Sequence, residues 1–213
     1  MLELDALKAQ MNPHFVFNSL GAIQFFIQNQ DVEIADDYLT KFAKLMRLYL
    51  DSAREKMITL EQELKLLGNY VALEQMRFEN LFELEVSVDE EVETRHHLIP
   101  PMILQPFIEN AINHGVSERK DKAGKIRISF EEIEEELICI IEDNGIGREK
   151  AKNNYRKGHQ SRGMKIIAEK VDTLLVSGIA DIHIVLEDAF PNNTSYPGTR
   201  VTIKIKNLEN EED

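Results

Sequence analysis

In QMNPHFVFNSL, residues 10–20, a histidine directly follows a proline and is followed by two phenylalanines, Phe15 and Phe17. Asn12 is a good N-cap, and Pro13 suits a first helical turn, where its missing N–H would have no partner anyway. His14 therefore stands at a helix entrance. An imidazole there can be a core side chain, a metal ligand or a nucleophile, since its neutral form is competent at pH 7. Spacing alone leaves the three open.

Four further segments set polar residues and glycine in apolar surroundings. In ENAINHG (109–115), Asn110, Asn113 and His114 fall within about one helical turn and share a face or edge. Such side chains on an apolar helix are costly unless satisfied. The purely structural reading is a helix C-terminus, with Gly115 as a left-handed cap and His114 near the negative end of the dipole. EDNGIG (142–147) ends an apolar strand. Asp143 is then an acceptor delivered by a rigid element, and Gly145 and Gly147 allow a ligand or another backbone to come close. SRGM (161–164) places a glycine at a helix start, which suits an anion or a simple surface cap equally. PGTR (197–200) enters the last strand and alone reads as a hairpin turn. His96 and His97 make a poor metal pair, because adjacent residues on a strand face opposite ways.

These residues need elements to position them. Apolar periodicity over Phe15, Val16, Leu20, Ile23, Phe26 and Ile27 predicts a helix at about 13–29. A second, at about 32–53, carries Ile34, Tyr38, Phe42, Leu45, Leu48 and Tyr49. Together they form a hairpin with apolar surface left over, which a second copy would cover. TLEQ (59–62) is a capping box opening a helix to about Arg77. Alternation at Leu84, Val86 and Val88 predicts a strand. A helix over ILQPFIENAINHGV, a hairpin over KIRISFEEIEEELICIIEDN, a polar loop at 148–162, a helix from Gly163 to about Leu175 and a closing hairpin complete the chain. The fold class is α+β: a helical hairpin (1–56), then a mixed sheet with helices on one face (57–208), then an acidic disordered tail (209–213). A Rossmann arrangement would need regular βαβ alternation, which is missing.

Composition narrows the partners. In 213 residues the net charge is −13 and the pI about 5.0, which argues against broad binding to nucleic acid or an anionic membrane. The one cysteine, Cys139, excludes an intrachain disulfide and reads as a buried small hydrophobe. No stretch approaches the apolar length of a membrane span, and MLELDALKAQ is a charged helical pattern rather than a signal peptide. It reads as the middle of a longer helix, so the chain is expected to be a fragment.

The order ENAxxHG, DNGIG, polar loop, helix-start glycine, GT and closing strand resembles the Bergerat-type ATP-binding domain of gyrase, the Hsp90 chaperone, histidine kinases and MutL. With QMNPHFVFNSL, TLEQELKLLGNYVALEQMRF and PPMILQPFIENAINHG, essentially the whole chain resembles the LytS/YehU-type sensor histidine kinases. The resemblance implies that His14 is the phosphoacceptor on a dimerising hairpin and that the second domain binds ATP and Mg²⁺. It implies Asn110 as the magnesium residue, and Asp143 as acceptor from the adenine amino group with Thr199 supporting through water. Gly145 and Gly147 would border the adenine, and 148–162 would be a lid. Asn113, His114, Arg162, Gly163, Met164 and Lys165 would complete the nucleotide site. The implied partners are a second copy and a response-regulator receiver domain, of the LytTR type in many relatives, with no direct nucleic-acid contact. The implied location is the cytoplasmic part of a membrane sensor, reached through an upstream region.

Two departures qualify the match. Phe15 stands where many histidine kinases carry an acidic residue after the phosphoacceptor, leaving Glu109 or Asn18 to act as base or orienter. HQSRGMKII lacks the GxGxG richness of many relatives. The rival is an ATPase of the gyrase or Hsp90 type, whose water-activating glutamate falls at Pro106 here, which cannot act as a base. A non-catalytic binding module of the same fold is the other alternative.

Overall fold

The computed structural model describes residues 13–79, 81–121, 123–150 and 162–208. The Asn12 cap, the N-terminal helical pattern, most of the 148–162 loop and the tail lie outside the described residues. In chain order the elements are α1 (Pro13–Gln28), α2 (Val32–Ser52), β1 (Ile58–Thr59), α3 (Leu60–Arg77), β2 (Phe82–Val88), β3 (Leu98–Ile99) and α4 (Gln105–Asn110). A π-helical turn (Ala111–Val116), β4 (Gly124–Ile133), β5 (Glu136–Asp143), α5 (Arg162–Val176), β6 (Ala180–Glu187) and β7 (Thr199–Asn207) follow. The chain packs as two units: Met1–Asn80 with Leu98–Ile103, and Leu81–His97 with Leu104–Asp213.

In the first unit α1 buries Phe15, Ser19 and Ala22, with Phe26 half-buried, a stripe of helical spacing. The Phe15 ring lies 5.1 Å from Tyr70 of α3 and 6.2 Å from Phe42 of α2, so all three helices share a core. For that reason α3 packs with the hairpin, although a domain boundary was expected at 56–57. Tyr38, fully buried, donates to Ser19 Oγ at 3.4 Å. Leu20 and Ile27, expected in the core stripe, are 51% and 59% exposed, beside Phe17 and Phe25. The helix is apolar on more than one face, and periodicity could not say which face this chain covers. The capping box forms as expected: Thr59 accepts from the Gln62 N–H at 3.2 Å, and Gln62 Oε1 accepts from the Thr59 N–H at 2.8 Å. β1 pairs with β3 antiparallel, Ile58 opposite Ile99.

The second unit is built on a five-stranded sheet in the order β2-β4-β5-β7-β6. β2 and β4 run parallel and the other pairs antiparallel, giving the expected α+β fold with a mixed sheet. Period-two alternation turns Leu137, Cys139, Ile141 and Asp143 of β5 to the buried face, level with Ile126, Ile128, Val201, Ile203 and Ile205 on β4 and β7. The opposite face carries a cross-strand row of alternating charge, Glu85, Arg127, Glu142, Arg200 and Glu187, with ion pairs at 3.1, 3.0 and 3.4 Å. The β4–β5 connection is a two-residue turn, Glu134–Glu135, both with positive φ, matching the twist a tight hairpin requires.

Candidate functional site

Asp143 is the last residue of β5 and keeps that strand's inward register, which carries a carboxylate into the core at 4% exposure. The Gly145 N–H donates to Oδ1 at 2.8 Å. Thr199, its register partner on β7, stands beside it, and its hydroxyl and backbone N–H favour the ionised carboxylate. Burial outweighs these donors and pushes the Asp143 pKa up to about 6.

Glycines make this placement possible. A Cβ on Gly115 would stand 2.9 Å from Asp143 Oδ1, closer than real side chains approach. A Cβ on Gly145 would collide with the Gly115 backbone, an approach closed by the Ile146 N–H donating to Gly115 O at 3.3 Å. Gly198, at φ +59°, leaves no room for a side chain against the Asp143 carbonyl. Gly147, at φ +79°, faces Pro197 in the same way. The glycines of DNGIG are thus required by neighbouring protein atoms. Gly115 is not a left-handed cap: it lies inside the π-helical turn, and the helix ends at Ser117 in right-handed geometry.

That π turn was not expected. The Ser117 N–H reaches back five residues to Ile112 O at 3.1 Å. Two side chains serve carbonyls nearby: Asn113 Nδ2 donates to Glu109 O at 3.0 Å and Ser117 Oγ to Asn113 O at 2.9 Å. Asn110 ends α4 half-buried, and its amide makes no hydrogen bond among the described residues. Glu109 Oε1 accepts from Gln105 Nε2 at 2.8 Å. Asp143, Thr199, Asn110, Asn113, His114, Gly145 and Gly147 therefore fall in one unit, along the β5 end, the start of β7 and the helix that leads past them.

The remaining expected residues lie elsewhere. Arg162 and Gly163 open α5; Met164 is half-buried; Lys165 is exposed and pairs with Glu169 at 3.7 Å. The described start of the polar loop is pinned, Arg148 to Asp188 and Lys150 to the Thr194 and Ser195 carbonyls. His14 lies in the first turn of α1, in the other unit. One and two turns on, Asn18 and Gly21 line a groove of about 430 Å³ with Phe17, Phe25, Met76 and Arg77. A Cβ on Gly21 would meet nothing within 4 Å. His96 and His97 sit in a turn rather than on a strand and face different partners, Glu93 and Glu132.

Asn144 was missed by sequence reasoning. Its side chain clamps the start of β4, accepting from the Lys125 N–H at 2.8 Å and donating to Ala123 O at 3.0 Å. Arg119 and Tyr196 were missed as well. The Arg119 side chain, 9% exposed, donates to Asn144 O, forks onto the Asp121 carboxylate at 2.9 and 2.6 Å, and stacks 4.0 Å from the Tyr196 ring centre. Nothing in HGVSER announces these partners, which stand 25 and 77 residues away.

The histidine-bearing segment decides the kinship. Residues 2–82 match the family model described as histidine kinase. The chain is 38% identical over 145 residues to "Sensor protein LytS" of Staphylococcus haemolyticus, covering 68% of this chain and 24% of that protein. This chain is a relative of the LytS-type sensor histidine kinases. The LytS proteins of Bacillus cereus and Bacillus subtilis stand at 36% over 147 residues and 34% over 145, each aligned over 24% of its own length. The chain thus spans about a quarter of the LytS relatives it matches. Among solved structures, the histidine kinase domain of a blue-light-activated kinase from Erythrobacter litoralis aligns with 91% of this chain and 95% of its own, at 14% identity and a TM-score of 0.48. No helix among the described residues is long and apolar enough to cross a membrane.

Proposed function

We propose that the chain is the transmitter part of a two-component sensor kinase, in which the second unit binds ATP with Mg²⁺ and transfers its γ-phosphoryl group to His14. The observation that carries the reading is Asp143: a carboxylate turned into the core, cradled by three glycines, with its pKa pushed up to about 6 because burial outweighs its donors. An exocyclic adenine amine donating to its oxygens would offset that burial. Thr199 fixes the carboxylate from β7, and Gly145 holds its other side. Asn110, with an amide oxygen uncommitted among the described residues, fits a hard cation carried by phosphates. When bound, the magnesium would neutralise charge developing on the transferring group.

His14 supplies the acceptor nitrogen. The bond formed is phosphorus to imidazole nitrogen, the bond broken is that to the β-phosphate oxygen, ADP leaves, and the imidazole loses one proton. Glu109, oriented by Gln105, is our choice of residue to take or steer that proton. Asn113, His114, Gly163 and Met164 would complete the nucleotide site, with Arg162 and Lys165 as phosphate contacts and Gly147 bordering the adenine. The phosphoryl group would then pass to an aspartate of a response-regulator receiver, of the LytTR type.

Functionally, residues 1–56 would form the dimerising phosphoacceptor hairpin and 57–208 the ATP-binding domain. Exposed Phe17, Leu20, Phe25 and Ile27 on α1 support a homodimer. The place we propose is the cytoplasmic portion of a membrane sensor. The test is titration with MgATP. We expect saturable one-site binding, weakened at least tenfold by Asp143→Ala; equal binding by this variant would overturn the adenine assignment. Phosphorylated chain should also pass label to a receiver domain but not to its Asp→Ala variant.

A further inference from the structure

Three segments meet at Asp143: the turn after the π helix, the stretch Asn144–Gly147, and the end of the β6–β7 connection that brings in Thr199. The β5–β7 ladder sets Asp143 opposite Thr199, and two backbone hydrogen bonds add to it. Gly198 N–H donates to Gly145 O at 3.1 Å and Ile146 N–H to Gly115 O at 3.3 Å. One side chain joins all three. From the first segment, the Arg119 guanidinium donates to Asn144 O, immediately after Asp143. Its flat face lies 4.0 Å from the ring centre of Tyr196, three residues before Thr199. Its edge is held in plane by the bidentate pair with Asp121, whose carboxylate Arg119 draws below the usual range.

We propose that Arg119 is a positioning residue for base recognition, fixing Asp143 against Thr199 through Asn144 and Tyr196. The inference rests on the adenine reading of Asp143. Arg119 is given no contact with nucleotide: its side chain is 9% exposed, and each of its three guanidinium nitrogens donates to protein. Its planar fork and stacking face do together what a lysine could not. Without it the Asn144 carbonyl and Tyr196 lose their common partner, and the chain flanking the paired Asp143 and Thr199 loosens, which disturbs the aim of carboxylate and hydroxyl. Hydrogen-bond recognition of one base edge then weakens, while the phosphate-binding residues on α4 keep their places.

The test is a comparison of Arg119→Met, Arg119→Lys and wild type, with Arg127→Met, an arginine on the opposite face of the sheet, as control. Affinities for MgATP and MgGTP are measured by titration and competition, and folding is checked by thermal melting. We expect both Arg119 variants to bind ATP about tenfold more weakly and to lose most of their preference for ATP over GTP, the control matching wild type. Equal weakening for both nucleotides, with the preference intact, would mark Arg119 as merely structural and overturn the proposal. So would unchanged ATP affinity. Failure of the wild type itself to bind ATP would instead overturn the nucleotide reading, and this inference with it.

Discussion

Asp143, which we propose as the acceptor from adenine, carries a signed pH dependence. Its folded-state pKa, about 6, lies above the ordinary 3.8, so the folded protein holds a proton that the unfolded chain releases. Stability contributed by this group is therefore full below the unfolded value and lost as pH rises through about 6. Relative to wild type, Asp143→Asn should gain up to about 3 kcal/mol between pH 4 and pH 7 and change little above, from about two pKa units at about 1.4 kcal/mol each. Denaturant unfolding at a series of pH values checks this; a difference independent of pH would contradict it. With ATP present the same titration reads differently. In the proposed function the ionised carboxylate accepts from adenine, so affinity should fall about tenfold per unit well below pH 6. Glu109 has a separate expectation: Glu109→Gln should slow autophosphorylation while leaving ATP affinity nearly intact, and equal rates would remove it from the proton's path.

At the scale of elements, glycines separate two kinds of demand. Gly145 abuts the Gly115 backbone, so Gly145→Ala should cost about 1–3 kcal/mol by overpacking. Gly21 stands in open space on α1, and Gly21→Ala should stabilise by up to about 1 kcal/mol through helix propensity. Thermal melts of the two variants should move in opposite directions. The contrast also shows what was readable beforehand. The Thr59 capping box, the α1–α2 turn, the strand alternation and the closing hairpin are local patterns, and they appear where local rules put them. Asp143, Asn110 and Thr199 lie in short motifs whose chain order carried the resemblance. The π turn had no such signal, since one extra residue in a helical turn leaves no compositional mark. Arg119 and Tyr196 meet only through the fold. Gly115 was visible, and of its two readings the left-handed cap is the one that fails: the residue lies inside the π turn, against the Asp143 carboxylate.

For the whole molecule, the apolar faces on α1 and α2 are the surface that the proposed homodimer would cover. Phe17 is 72% exposed and Val32 68%, with Leu20, Phe25 and Ile27 above one half. A second copy would bury them, as leftover hairpin surface requires. Leu20→Glu should therefore shift the chain toward monomer in light scattering, with MgATP affinity unaltered because the residues proposed to hold the nucleotide belong to the other unit. A dimer of unchanged stability would place the interface elsewhere. The central claim is that His14 accepts phosphoryl from ATP, and labelling with γ-³²P-ATP and Mg²⁺ tests it most directly, in wild type, His14→Ala and Asn110→Ala. The account predicts label on wild type that is acid-labile and alkali-stable, and none on either variant. Label persisting on His14→Ala, or free phosphate released with no label on the protein, would contradict it.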